Sequence, residues 1–199
     1  RLKHHLFSSA ADENIKTILF SASSKGEGTS SVLSNFAVTL ASGGDKVLMV
    51  DANLRNPRLH SLFELDRKDG LTELLLENKS LDDVTKTTKA ENLLVITAGV
   101  SHPNPFSLFG TACLDSLIEQ MKTRADWVLF DSPSIHSCSD ASTLAEKMDG
   151  VVMVVQAEST RWQVAQSAKQ RIENIKMRIL GVVLNKRKMH IPDWAYAIL

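Results

Sequence analysis

One stretch limits the fold more than any other: Ser21-Ala-Ser-Ser-Lys-Gly-Glu-Gly-Thr-Ser-Ser31, a glycine loop set between an apolar run and a helical pattern. Thr17-Ile-Leu-Phe20 before it reads as a buried strand, and after it the apolar residues of Val32–Leu40 recur at helical spacing. Strand, glycine turn and helix start are the setting in which backbone N–H groups cradle a phosphate at the positive end of a helix. A P-loop reads G-x-x-x-x-G-K-[ST]. Here Gly28 and Ser30 stand at the last glycine and at the Ser/Thr, while Thr29 occupies the lysine position and Ser23 that of the first glycine. The arrangement is that of a nucleotide site; the chemistry is that of a damaged one.

The rest of the chain agrees with an α/β reading. Strand-like runs fall at Ile18–Ala22, Val47–Asp51, Leu93–Thr97, Trp127–Asp131, Val151–Gln156 and Ile179–Asn185. Several are apolar at every position, as parallel strands buried on both faces require. Helical patterns lie between them, near 29–42, 71–77, 111–124, 140–148 and 160–176. This order predicts an open, mainly parallel sheet with helices on both faces, whose ligands bind beyond the carboxyl ends of the strands. The 199 residues, 43% of them hydrophobic, suffice for one domain, with no internal repeat or linker to divide it.

Composition excludes more than it selects. Twenty-three basic residues balance twenty-three acidic ones, so no net field draws the chain to nucleic acid. Cys113 and Cys138 are too few for a disulfide framework and read as small core residues of a protein in a reducing compartment. No apolar run is long enough to span a bilayer, and no secretory signal is visible. The first residues, Arg1-Leu-Lys-His-His-Leu6, begin inside a helical pattern, so a fragment of a longer chain is expected.

Three strand ends carry the chemistry. The glycine loop follows the first, Val50-Asp-Ala-Asn-Leu-Arg-Asn-Pro57 the second, and Phe130-Asp-Ser-Pro133 the fourth. A nucleotide-bound Mg²⁺ takes oxygen ligands, and Ser30, Asp51 and Asp131 would supply the protein's share from adjacent strand tips. A rival reading takes Gly26-x-Gly28-x-x-Ser31 as a dinucleotide fingerprint with Asp51 on a ribose hydroxyl. Ser31 is then a poor third glycine, and Asp131-Ser-Pro133 has no role.

These segments resemble, in order and over nearly the whole chain, the cytoplasmic domain of bacterial tyrosine kinases of capsule and exopolysaccharide assembly, a branch of the partitioning-type ATPases. Gly26-Glu-Gly-Thr-Ser30 corresponds to Walker A, Val47–Pro57 to the second acidic motif (Walker A′) and Val128-Leu-Phe-Asp-Ser-Pro133 to Walker B. Leu59-His-Ser-Leu-Phe63, Gly70-Leu-Thr-Glu-Leu74, Ala98-Gly99, Pro103-Asn-Pro105, Asp140-Ala141 and Gly181-Val-Val-Leu-Asn185 match as well. Arg1–Leu6 resembles the end of the family's oligomerisation helix.

The resemblance implies a P-loop NTPase-like fold that binds ATP or ADP with Mg. Lys25, Gly26, Glu27, Gly28, Thr29, Ser30, Ser31 and Asn185 would lie about the nucleotide, Asn185 at the adenine. Ser30, Asp51 and Asp131 would hold the metal, with Asp51 and Asp131 catalytic where activity survives. It further implies self-association, an inner-membrane polysaccharide copolymerase as partner, on the same chain or a separate one, and a cytoplasmic place at the inner face of the membrane.

Three departures bear on activity. Thr29 stands for the Walker lysine, and losing one charge-assisted contact costs about 1.5–3 kcal/mol, roughly ten- to a hundredfold in affinity. Asn53 stands for the second Asp of the family's D-x-D pattern, and the tyrosine-rich tail is missing, Tyr196 being the single tyrosine. Weak or absent nucleotide binding follows as the expectation, with a regulatory or scaffolding role in polysaccharide polymerisation and export; an active ATP-dependent tyrosine autokinase is the alternative.

Other features have plainer readings. Lys25 is either a phosphate contact or a solvated charge. Arg55 either reaches a partner's nucleotide or makes a surface contact. His136, Cys138 and Asp140 could form a cysteine-nucleophile site, but Ser139 or Asp140 capping the next helix explains that segment more simply. Lys186-Arg-Lys188 reads as a solvated loop or a contact with anionic lipid. Residues 186–199 are expected to form a C-terminal docking tail, because Ile191–Leu199, with Trp194, Ile198 and Leu199, is too apolar to stay free.

Overall fold

The computed structural model describes residues 15–77, 79–136 and 139–188. Its centre is a seven-stranded sheet: β1 (Thr17–Ala22), β2 (Val47–Asp51), β3 (Thr85–Thr87), β4 (Leu93–Ile96), β5 (Trp127–Asp131), β6 (Gly150–Gln156) and β7 (Ile179–Asn185). The spatial order is β3-β4-β2-β5-β1-β6-β7. Every pairing is parallel except β3 with β4 at one edge. The six strands read from the sequence are present, each within a residue of its expected ends. The antiparallel β3 was not legible, because Thr85-Lys-Thr87 is three polar residues whose strand state depends on β4 alongside.

Helices cover both faces: α1 (Thr29–Ser42), α2 (Leu59–Leu62), α3 (Leu71–Leu76), α4 (Leu81–Val84), α5 (Phe106–Phe109), α6 (Ala112–Arg124), α7 (Asp140–Ala145) and α8 (Trp162–Asn174). Strand side chains alternate between the two layers, as a two-residue period demands. Ile18 and Phe20 of β1 join Met49, Leu129 and Val152 under Leu33, Phe36, Ala37 and Leu40 of α1. The Phe20 and Phe36 rings lie 5.7 Å apart, tilted by 40°. Leu19, Val50, Phe130 and Met153 point to the other layer, against Leu114, Leu117, Ile118 and Met121 of α6 and Ala168 and Ile172 of α8. Cys113 is exposed, contrary to its reading as a core residue: α6 buries the stripe that begins at Leu114, and its neighbour faces water.

Two family-like motifs prove structural. Glu73 of α3 is buried and accepts the Gly70 N–H (2.7 Å) and the Val100 N–H (2.8 Å), while Thr72 Oγ1 donates to the Ala98 carbonyl (2.8 Å). Gly70-Leu-Thr-Glu-Leu74 and Ala98-Gly99 thereby pin α3 to the end of β4. No helix among the described residues is long and apolar enough to cross a membrane. Arg1–Leu6, Cys138, Trp194, Tyr196, Ile198 and Leu199 lie outside the described residues.

Candidate nucleotide site

The sheet's topology brings the three strand ends together. β5 lies between β1 and β2, with Asp131 registered against Phe20 on one side and Asp51 on the other. Neighbouring strands are about 4.8 Å apart, so the two carboxylates sit side by side. α1 leads away from the same point. Its N-cap is Gly28 in the left-handed region (φ 91°), with no side-chain cap and no acidic residue in the first turn. The first N–H groups of α1 therefore have no side-chain cap among the described residues, and the helix presents its positive end.

In front of these groups is a cleft of about 580 Å³, lined by residues of the 22–31 loop, of the 53–58 loop and of Ser132-Pro-Ser134. Lys25, Gly26, Gly28, Thr29, Ser30 and Ser31 all border it, as do Asn53, Arg55 and Arg58. Four of the sequence-derived site residues do not: Asp51 and Asp131, which are fully buried at their strand tips, and Glu27 and Asn185. Glu27 is buried, and its carboxylate turns away from the cleft, accepting the Ser23 hydroxyl (2.8 Å), the Ser24 N–H (2.9 Å) and the Thr160 hydroxyl. Asn185 donates from Nδ2 to the Glu27 carbonyl (2.8 Å) and does not border the cleft. Both residues shape the loop.

Ser30 Oγ donates to Asp131 Oδ2 at 2.5 Å, and the other oxygen, Oδ1, is buried with no hydrogen-bond partner among the described residues. Asp51 accepts the N–H groups of Arg58 and Leu59 (both 2.9 Å) and, more distantly, of Asn53 (3.3 Å), and so fixes the start of α2. Burial pushes the Asp51 carboxyl up to about 6, against those N–H bonds. Asp131 is driven well above the usual carboxylate range by burial and by the Asp51 charge beside it, the Ser30 hydrogen bond opposing. A buried carboxylate oxygen without a donor, a hydroxyl on its partner oxygen and a second carboxylate adjacent suit a hard divalent cation. The donor set fits Mg²⁺. Among the described residues no cluster of three or more His, Cys, Asp or Glu offers a softer site.

The remaining candidates resolve into structure. Arg55 pairs through Nε with Asp140 Oδ2 (2.8 Å), tying the 53–58 loop to the first turn of α7. Ser139 precedes α7 but its side chain does not cap it, because its backbone is already helical (φ −66°, ψ −18°). His136 Nε2 meets the Val164 carbonyl (3.2 Å), a contact between loop and α8. Asn53 Oδ1 accepts the Asn56 N–H (3.3 Å), a turn contact an Asp would make equally, so Asn53 costs the cleft a charge rather than a shape. Sequence reasoning missed Thr160 and Lys186 as loop supports; 133 and 160 residues separate them from their partners, and no local pattern links such positions.

Gly28 is confined to glycine on two counts. Its φ is left-handed, and a Cβ there would lie 2.4 Å from Asn185 Nδ2. Gly28→Ala should lose about 1–2 kcal/mol from the backbone conformation alone. Thermal denaturation should read this as a fall of about 2–8 °C, at 2–4 °C per kcal/mol for a chain of this size. An unchanged midpoint would show that the loop does not hold this geometry.

The fold and cleft define a P-loop α/β domain of the NTPase type, with a strand-loop-helix phosphate cradle beside two strand-tip carboxylates. The profile of the cellulose biosynthesis protein BcsQ matches residues 16–179. The tyrosine-protein kinase YwqD of Bacillus subtilis is 33% identical over 180 residues, 90% of this chain and 76% of that protein. The crystal structure of the chimerical protein CapA2B2 superposes with a TM-score of 0.89 at 30% identity, over 94% of this chain and 82% of that one. The septum site-determining protein MinD of Pyrococcus horikoshii, solved with Mg-ADP, shares the fold at 22% identity and a TM-score of 0.73, over 90% of this chain and 75% of its own. The chain belongs to the P-loop family of BcsQ and the bacterial tyrosine kinases of capsule and exopolysaccharide biosynthesis.

Proposed function

We propose that this chain is a member with a weakened nucleotide site, acting as a regulatory or assembly module in polysaccharide polymerisation and export. The observation that carries the reading is Thr29 at the head of α1. A phosphate cradle with its metal-side residues in place lacks the ammonium that would offset charge on the β and γ phosphates. The backbone N–H groups of 26–31 would hold a diphosphate of ATP or ADP, with Ser30 and Asp131 on Mg²⁺ and Asp51 adding charge beside them. That ion would supply positive charge against the phosphates. Phosphoryl transfer is almost entirely electrostatic positioning, so losing the lysine and the Asn53 carboxylate lowers transfer more than binding.

The partner in this reading is an inner-membrane polysaccharide copolymerase, and the domain works at the cytoplasmic face of that membrane, self-associated. An active tyrosine autokinase is the second reading, favoured by the Ser30–Asp131 pair and a loop held in shape by its own side chains. Incubation with Mg·ATP followed by intact-mass measurement separates the two. No phosphate adduct is expected, since the chain offers one tyrosine, Tyr196, in an apolar segment. An adduct on Tyr196, which adds close to two negative charges, would favour the kinase. Retained binding to a copolymerase without an adduct supports the module.

A further inference from the structure

The phosphate loop is supported from the far end of β7 by two residues. Asn185 Nδ2 donates to the Glu27 carbonyl (2.8 Å), and Lys186 Nζ donates to the Gly26 carbonyl (2.6 Å) and to Gln156 Oε1 (3.2 Å). Lys186 has a left-handed backbone (φ 55°), and its Cε lies 3.7 Å from where a Gly28 side chain would begin. In sequence it belongs to the basic run Lys186-Arg-Lys188, which reads as a solvated loop or a lipid contact; the structure turns its ammonium onto the loop.

We infer that Lys186, which does not itself line the cleft, is a positioning residue of this phosphate loop and lends it positive charge through the Gly26 peptide, where the family motif has a lysine at the position of Thr29. The inference rests on the phosphate-loop reading above. In a planar trans peptide the C=O of one residue and the N–H of the next point opposite ways. Holding the Gly26 and Glu27 carbonyls from behind therefore turns the Glu27 and Gly28 N–H groups toward the cleft. Lys186 positions one of these amides and adds a full positive charge to the same loop. The ligand class is the di- or triphosphate of a nucleotide: Lys25, Arg55 and Arg58 also border the cleft, and no carboxylate lies on its lining.

The test compares Lys186→Met and Lys186→Arg in the full chain, each with native Thr29 and with Thr29→Lys. Mg·ADP and inorganic pyrophosphate are the probes. Lys186→Met should weaken both about tenfold with native Thr29 and flatten the salt dependence. The loss should be smaller with Thr29→Lys, where two cations share one phosphate charge. Lys186→Arg should retain most of the affinity. In the ligand-free protein, ¹⁵N order parameters at 25–28 should fall from about 0.85 toward 0.6 in Lys186→Met; this readout stands where nucleotide binding is below detection.

Unchanged order parameters, or equal losses in both backgrounds when Thr29→Lys itself tightens binding, would overturn the inference. A loss in Lys186→Met with no gain in Thr29→Lys would instead count against the damaged-site reading and leave Lys186 in its role.

Discussion

Thr29→Lys should tighten Mg·ATP binding by about ten- to a hundredfold. The cradle is otherwise built: Gly28 opens α1 without a cap, Ser30 is on Asp131, and Glu27 holds Ser23 and Ser24 in the turn. What the site lacks is one charge-assisted contact, of about 1.5–3 kcal/mol. Thr29 borders the cleft, so a lysine there meets solvent and phosphate rather than core. Calorimetry on the two proteins checks it. Tight binding by the native chain with no gain in the variant would mean that the site is not damaged.

Asp131→Asn should stabilise the metal-free protein above about pH 6, although it removes a residue of the candidate metal set. Asp131 is fully buried beside Asp51, and both carboxyls hold their protons to higher pH than in the unfolded chain. Unfolded, they release protons near pH 4. The native state therefore binds more protons across the interval between, and stability falls as pH rises through it. For Asp51, from 3.8 to about 6, the linkage amounts to roughly 3 kcal/mol.

An amide at 131 keeps an acceptor for the Ser30 hydroxyl, carries no charge and relieves Asp51. A gain of about 2 kcal/mol, or 4–8 °C in Tm, is expected at pH 7.5 and should shrink toward pH 4.5. Added Mg²⁺ should stabilise the native protein and leave the variant unmoved. A variant less stable than the native chain at pH 7.5 would show that the buried carboxylate is held by contacts stronger than its desolvation.

In the metal-free protein the two buried carboxylates therefore carry a stability cost. Two acids at adjacent strand tips repel when ionised, and a bound divalent cation would reverse the sign of that interaction. Arg55 cannot serve that purpose directly, since its guanidinium is tied to buried Asp140 at the side of the cleft. The 53–58 loop is thus held from both ends, by Asp51 beneath α2 and by Asp140 at α7. A shift in either would carry Asn53 and Arg58 with it.

The sequence by itself determined six of the seven strands, their ends and the residues that meet there. Strands buried on both faces must be apolar throughout, so β1, β2, β5 and β6 stand out as uninterrupted runs, and the residue closing each run falls at the sheet's edge. Asp51, Asp131 and the glycine loop were legible for that reason, as were α1 and α6 from their apolar period. Only the tertiary structure decided what holds the loop. The Glu27 carboxylate, expected from the motif to meet the ligand, faces Ser23 and Thr160, and the Asn185 amide braces a carbonyl. Lys186, one of three similar basic residues in sequence, is singled out by its reach to Gly26. Such roles depend on side-chain direction and on contacts across more than a hundred residues, and neither is written in a local pattern.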